Sequence, residues 1–271
     1  MLRSLNSGVS GLKAFQTKLD VIGNNIANVN TTGFKKGTVV FEEVVSQTIK
    51  DATTPTTSQG GISPLQIGLG TRVANIQSVF SPGSPTITNR TTDLYIDGNG
   101  FFAVQDANGD QFLTRAGNFT LDGLNQIVNP DGMLLLDSTG NPITLESDII
   151  SFTVAIDGKV IGLKSDGSTE ASPGVGKTAV QITTVSVTNP SGLKKEGGSL
   201  YSLTTNADSN PDIKSLLPSN SQLIAGQLEM SNVDLSEEMT EMIIAQRGLQ
   251  ANSKIITTSD QVLEEIINLK R

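Results

Sequence analysis

The chain has 271 residues, 36% of them hydrophobic and 4% aromatic, with a formal net charge of −8. This acidic balance speaks against a nucleic-acid partner, because neutralising phosphates needs clustered Lys and Arg. Cysteine and histidine are both absent, which excludes disulfides, thiolate metal sites, a Cys nucleophile and the commonest general base. No apolar run reaches the ~18 residues of a membrane span, and Arg3, Lys13 and Lys18 interrupt any secretory apolar region.

Leu5, Leu12, Leu19 and Ile26 recur every seven residues, and Gly8, Phe15, Ile22 and Val29 do so three places further on. That spacing is an a/d seam, by which one helix winds against another. It predicts a helix over residues 4–30, roughly 40 Å long at ~1.5 Å per residue, ending before Gly33, which suits a left-handed position. Asn24, Asn25 and Asn28 fall off this seam and read either as a solvated polar face or as a second interface.

Residues 37–70 are expected to be a connector: a strand passing into a short helix over 37–50, then an exposed, Thr/Ser/Gly/Pro-rich stretch over 51–63. From Thr71 the texture becomes short β-type runs punctuated by Asp97-Gly98, Asn108-Gly109, Asp122-Gly123, Asp131-Gly132, Asp157-Gly158 and Asp166-Gly167. These dipeptides supply the positive φ angles of tight hairpins. Strands are predicted at 101–105, 111–114, 126–128, 133–136 and 151–156, with longer runs at 179–188 and 223–230 and rim loops at 174–176 and 189–192. Residues 71–228 therefore read as an antiparallel β domain.

A second helix is predicted over 231–271, with Asp234 and Glu237 as its capping pair. Leu235, Met242, Leu249, Ile256 and Leu263 form its seven-residue row, flanked by Met239, Ile243, Ile266 and Ile267. Residues 1–36 carry a net +4 and residues 229–271 a net −4, so the two helices favour each other over self-pairing. Leu5, Leu12, Phe15, Leu19, Ile22 and Ile26 would meet the second row inside one chain. The fold class that follows is mainly β with terminal helices, in a discontinuous architecture. An antiparallel β domain is inserted between N- and C-terminal helices that pair as a coiled coil.

Little in this sequence carries chemistry. Asp106, Asn108 and Asp110 lack the closing Glu and the correctly placed Gly of a calcium loop. Gly98-Asn99-Gly100 lacks the third glycine of a dinucleotide site. Asp93 and Asp97 sit in turn sequence with no sign of a pocket. No enzyme, cofactor or metal is expected.

Two terminal stretches are specific. LDVIGNNIANVNTTGFKK (19–36) resembles the N-terminal signature of the bacterial flagellar rod and hook proteins. The stretch from Glu229 to Arg271, which includes QRGLQANSKIITTSDQVL (246–263), resembles their C-terminal signature. DLYIDGNGFFAV (93–104) and LTRAGNFTLD (113–122) are similar to motifs of the family's β domain. Within the family, the QANSK stretch and the N-terminus are most similar to short hook proteins of Gram-positive bacteria, while LQIGLGTR (65–72) resembles the distal rod protein.

The resemblance implies a structural subunit of the flagellar hook, the universal joint between rod and filament, that polymerises with itself into a helical tube, with the distal rod subunit as the alternative; the terminal helices would be buried as an inner wall and free to move before assembly. Asn24, Asn25, Asn28, Gln246 and Asn252 would carry contacts between subunits. It also implies rod neighbours, hook–filament junction proteins and a hook cap as partners, and export through the flagellar type III apparatus to an extracellular position. Phe41 and Val45 lie where related proteins place an export contact. The reading from another class is a secreted adhesin whose amphipathic ends bind a partner helix or a membrane surface.

Overall fold

A computed structural model describes residues 2–54, 60–137, 140–164, 166–171, 173–174, 180–182, 184–208 and 221–269. The middle of the predicted 51–63 connection, parts of the predicted 179–188 strand and of the 174–176 loop, and residues 270–271 lie outside them.

The described chain divides into two compact units. The first comprises residues 1–27, 37–78 and 234–271. It contains α1 (Leu2–Ala27), β1 (Gly37–Glu43), β2 (Ser46–Lys50), β3 (Leu65–Gly68), β4 (Thr71–Ser78) and, from the far end of the chain, α2 (Leu235–Leu269). The segment expected to be a strand followed by a helix is two strands. β1 pairs antiparallel with β4, from Gly37–Ser78 to Glu43–Thr71, and β2 with β3. Val39, Val40, Val44, Val45 and Ile49 crowd 37–50 with β-branched side chains, which favour pleated backbone over helix. Because β4 completes this pairing, residues 71–78 fold with the helices, outside the β domain expected to start there.

Helix α2 begins as its capping pair predicts. The Asp234 Oδ1 accepts the Ser236 N–H at 2.8 Å and the Glu237 N–H at 3.3 Å, satisfying two donors that a helix start leaves open. Helix α1 ends at Ala27, three residues short of expectation. The following residues, 28–36, fold with the second unit.

That second unit spans residues 28–36 and 79–233. Its strands are β5 (Pro85–Ile87), β6 (Leu94–Asp97), β7 (Phe102–Gln105), β8 (Gln111–Thr114), β9 (Thr120–Leu121), β10 (Ile127–Val128), β11 (Leu134–Leu135), β12 (Ile149–Val154), β13 (Val160–Lys164), β14 (Thr169–Glu170), β15 (Lys194–Gly197), β16 (Leu200–Ser202), β17 (Gln222–Ala225) and β18 (Gln227–Glu229). A seven-stranded antiparallel sheet runs β15-β16-β8-β7-β11-β10-β9, beside a β12-β13-β14 sheet and the pairs β17-β6 and β18-β5. The run predicted as one strand over 223–230 is divided at Gly226, whose φ of 82° breaks the pleat and lets β17 and β18 pair with different strands. Asp-Gly and Asn-Gly turns do carry positive φ at Gly98, Gly109, Gly132, Gly158 and Gly167. At Asp122-Gly123 the left-handed residue is Asn125 instead.

Strand β7 is central and buried on both faces, which is why its sequence is apolar without alternation. Phe102 and Val104 point into a core with Leu94, Ile96, Phe119, Ile127, Leu135 and Phe152. Ala103 and the neighbouring Phe101 point into a second cluster with Leu113, Leu136 and Tyr201.

Candidate functional site: a helix pair and a buried charge cluster

In the first unit the terminal helices pack against each other antiparallel. A Cβ built on Gly8 would lie 3.4 Å from Ile256 Cγ1, and one on Gly11 would lie 3.0 Å from the Asn252 amide. A Cβ on Gly248 would lie 2.7 Å from the Phe15 ring. Lys18 pairs with Glu241, and Asn25 donates to Glu238 Oε2 at 3.1 Å. The centre of the seam is thus small or polar: Gly8, Gly11 and Asn25 on α1, Ala245, Gly248 and Asn252 on α2. Small residues let two helix backbones approach closely, and here Phe15 fills the hollow that Gly248 leaves.

The predicted leucine rows sit beside this centre. Leu5, Leu12, Leu19 and Ile26 are half-buried, as are Phe15, Met242, Leu249, Ile256 and Leu263, whereas Ile22 is fully buried. Leu235, the first residue of α2, is 42% exposed. The reason is geometric. α1 packs on α2 with one face and on β1 and β4 with another, so its buried arc is displaced from the leucine row. On α2, Met239, Ile243, Ile266 and Ile267, which flank the predicted row, are exposed.

The amides assigned to subunit contacts are placed differently from one another. Asn25 is only 2% exposed and is used inside the chain. Its Nδ2 donates to the Gly37 carbonyl at 2.9 Å and to Glu238, while its Oδ1 accepts the Gly37 N–H at 3.0 Å. Asn252 is half-buried, donates to the Gly248 carbonyl at 3.0 Å and lies against Gly11. Asn28 folds with the second unit and accepts from the Thr31 hydroxyl at 3.1 Å. Asn24 and Gln246 are exposed. Phe41 lies on β1 with its ring 5.8 Å from that of Phe15; Val45, between β1 and β2, is exposed.

The second unit contains a site with little sequence signature. Lys35, Arg115 and Glu229 are among its most deeply buried residues. The Glu229 carboxylate takes Lys35 Nζ at 2.5 Å and Arg115 Nη1 at 3.2 Å, and accepts the Gly83 N–H at 2.9 Å. Lys35 also donates to the Ser81 carbonyl at 2.8 Å, and Arg115 to the Gly98 carbonyl at 2.8 Å with its guanidinium over the Phe101 ring. Burial lowers the Lys35 pKa from its ordinary value, and the Glu229 charge works against that shift. Beside the cluster, the Gly33 N–H donates to the Glu229 carbonyl at 2.8 Å, and a Cβ on Gly33, whose φ is 67°, would meet the Ala116 nitrogen at 2.6 Å. Asn232 adds a further clasp by accepting the Lys36 N–H at 2.8 Å and donating to the Val79 carbonyl at 2.8 Å. One carboxylate therefore gathers residues 28–36, the 81–83 turn, the end of β8 and β18. This arrangement ties distant segments of the second unit together.

Residues 5–35 match the family model "Flagella basal body rod protein". Residues 95–162 match "Flagellar hook protein FlgE/F/G D1 domain", and residues 224–269 match "Flagellar basal body rod FlgEFG protein C-terminal". The chain is 47% identical to the flagellar basal-body rod protein FlgG of Bacillus subtilis (strain 168) over 276 residues, covering 100% of both chains. It is 38% identical to FlgG of Borreliella burgdorferi over 275 residues, again covering 100% of both. With the flagellar hook protein FlgE of Borreliella burgdorferi, identity is 28% over 442 residues, with 100% of each chain covered. The chain belongs to the flagellar rod and hook protein family, whose members are structural, non-enzymatic subunits of the flagellum.

Proposed function

We propose that this chain is the distal rod subunit, a building block of the straight shaft that carries torque from the basal body outward. The observation that carries the reading is its end-to-end match, at 47% and 38% identity, to basal-body rod proteins over 276 and 275 residues, whereas the alignment with the hook protein needs 442 residues and falls to 28%. The hook assignment drawn from the C-terminal stretch gives way to this one, and with it the hook cap and hook–filament junction as neighbours. The partners are copies of itself and the adjoining rod subunits, reached by export through the flagellar type III apparatus.

Exposed apolar side chains on α2 support self-assembly through the terminal helices, since contiguous uncovered apolar surface marks an interaction site. A contact of unlike faces that does not close on itself builds a helical filament. Of the amides first assigned to subunit contacts, Asn24 and Gln246 have the exposure such a role requires. Phe41 and Val45, the export pair, are 36% and 68% exposed, and normal secretion of a Val45→Asp variant would remove Val45 from that role.

Immunogold labelling of purified basal bodies, with antibody to residues 79–233, tests the assignment. Gold along the straight shaft is the expected result. Gold along the curved segment outside the cell would return the chain to the hook.

A further inference from the structure

We propose that Asp122, in the turn between β9 and β10, is a site of spontaneous covalent modification that converts to isoaspartate through a cyclic imide formed with Gly123. The step consumes no cofactor, and it does not depend on what the chain assembles into.

Seven Asp-Gly or Asn-Gly pairs lie in the second unit. The imide ring closes when the glycine nitrogen reaches the side-chain carbonyl carbon of the residue before it. A nitrogen held elsewhere by a hydrogen bond must first be released. In four of the turns the glycine N–H is committed to a backbone carbonyl. Gly109 donates to Asp106 at 2.9 Å, Gly132 to Asn129 at 3.0 Å, Gly158 to Ala155 at 2.9 Å and Gly167 to Lys164 at 3.0 Å. Gly98 is held through its carbonyl by Arg115 Nη2 at 2.8 Å, and Gly100 is buried.

Gly123 differs from all of these. Its N–H donates to Oδ1 of Asp122 itself at 2.6 Å, so the nitrogen and the carboxyl group are already in contact. Asp122, Gly123 and Leu124 are exposed, and a Cβ built on Gly123 would meet nothing within 4 Å. The turn has room to swing the nitrogen onto the carboxyl carbon, and water can reach the ring. Two competing carboxyls have other ties. Hydrogen bonding to Lys159 holds the Asp157 carboxyl below its ordinary range, and hydrogen bonding to Ser168 does the same at Asp166. A carboxyl kept ionised is a poor target for the nitrogen.

In the step, the Gly123 nitrogen bonds to Asp122 Cγ, while the amide proton and the hydroxyl of the protonated carboxyl leave as water. Hydrolysis then returns one water to the ring. Cleavage of the new N–Cγ bond restores aspartate, whereas cleavage between the nitrogen and the Asp122 backbone carbonyl carbon gives isoaspartate. Nothing is oxidised or reduced, and the mass is unchanged. The main chain now runs through Cγ, longer by a methylene, and the former backbone carbonyl is a free carboxylate. That carbonyl is the group that accepts the Asn125 N–H at 2.9 Å within the turn. Strand β9 is an edge of the seven-stranded sheet, paired through Leu121–Ile127 and Thr120–Val128, so the change loosens an edge of the sheet.

The test follows purified full-length chain kept for weeks at mildly acidic pH, then digested with trypsin and sequenced by electron-transfer mass spectrometry, which separates the two isomers. Residues 116–159 form one tryptic peptide and carry Asp122, Asp131 and Asp157, each before a glycine. Asp122 should convert about five-fold faster than either of the others, roughly the factor that one net hydrogen bond is worth. In urea the three rates should converge. Gly123→Ala should keep the native dichroism and lose most of the isoaspartate at position 122. Equal rates in the folded chain, or faster conversion at Asp131 or Asp157, would overturn the assignment. A lead for Asp122 that persists undiminished in urea would also overturn it, by tracing the reactivity to local sequence.

Discussion

Asn25 and Gly37 form a two-point pair in which a side-chain amide takes the place of a neighbouring strand. Amide nitrogen to carbonyl is 2.9 Å, and backbone N–H to amide oxygen is 3.0 Å. The same amide nitrogen reaches Glu238, so one side chain joins the last turn of α1, the start of β1 and the first turn of α2. Removing it leaves a part-buried N–H, a part-buried carbonyl and a buried carboxylate oxygen short of a partner. Asn25→Ala should destabilise the first unit by about 2–4 kcal/mol, with each lost bond contributing on the order of 1 kcal/mol or more. Urea unfolding followed by far-ultraviolet dichroism measures it, and a loss below 1 kcal/mol would mean that water replaces the amide.

Glu229→Gln tests the charge cluster. It leaves two buried cations without a counter-charge, and breaking a buried pair from one side costs about 3–5 kcal/mol. The second unit should melt well below its wild-type temperature. Adding Lys35→Met to Glu229→Gln should recover part of the loss, because one stranded cation is removed with it.

The lowered pKa of Lys35 gives a pH dependence of definite sign. Between its folded-state value and the ordinary 10.5, the unfolded chain holds more protons than the folded one, so stability from this group rises with pH. The stability of wild type relative to Lys35→Met should therefore increase as pH climbs through that alkaline window. A flat difference between pH 8 and pH 10, measured by denaturant unfolding, would show Lys35 titrating as an ordinary lysine.

Gly248→Ala separates propensity from packing. On a free helix surface the change would stabilise by up to about 1 kcal/mol. Here the new methyl would lie 2.7 Å from the Phe15 ring, and overpacking of this kind costs about 1–3 kcal/mol. Net destabilisation is expected, and Phe15→Leu in the same chain should relieve it.

Leu19→Asp should abolish polymerisation while the second unit keeps its fold, since Leu19 belongs wholly to the first unit. Polymer yield by sedimentation, alongside near-ultraviolet dichroism from Tyr95 and Tyr201, reads both halves of the expectation. Normal yield would remove the leucine row from the assembly surface.

The N- and C-terminal signatures and the heptad rows were legible because they are local and repetitive, and opposite charge pointed to their pairing. The centre of the seam was legible only in part. Periodicity put Gly8, Phe15 and Ile256 on it, but it scores apolar bulk, and Gly11, Ala245, Gly248 and two amides, which also meet there, register as gaps in an apolar pattern. Asn25 read as a surface amide for the same reason, its partner Gly37 being a backbone group that no side-chain pattern announces. Lys35 and Glu229 stood in the quoted signatures only as charges at opposite ends of the chain, and Arg115 lay in a β motif between them. No spacing rule links positions 35, 115 and 229.

By itself the sequence determined the two long terminal helices and most of the short hairpin strands, though not the strand pair within 37–50, and also that the two ends pair and to which family the chain belongs. Those properties arise from periodicity, turn dipeptides and motifs within a few dozen residues. Tertiary structure alone decided that residues 71–78 fold with the helices and 28–36 with the β unit, and that one buried carboxylate gathers two cations. Each of these depends on which distant segments exclude water from one another, and burial of that kind is a property of the folded chain.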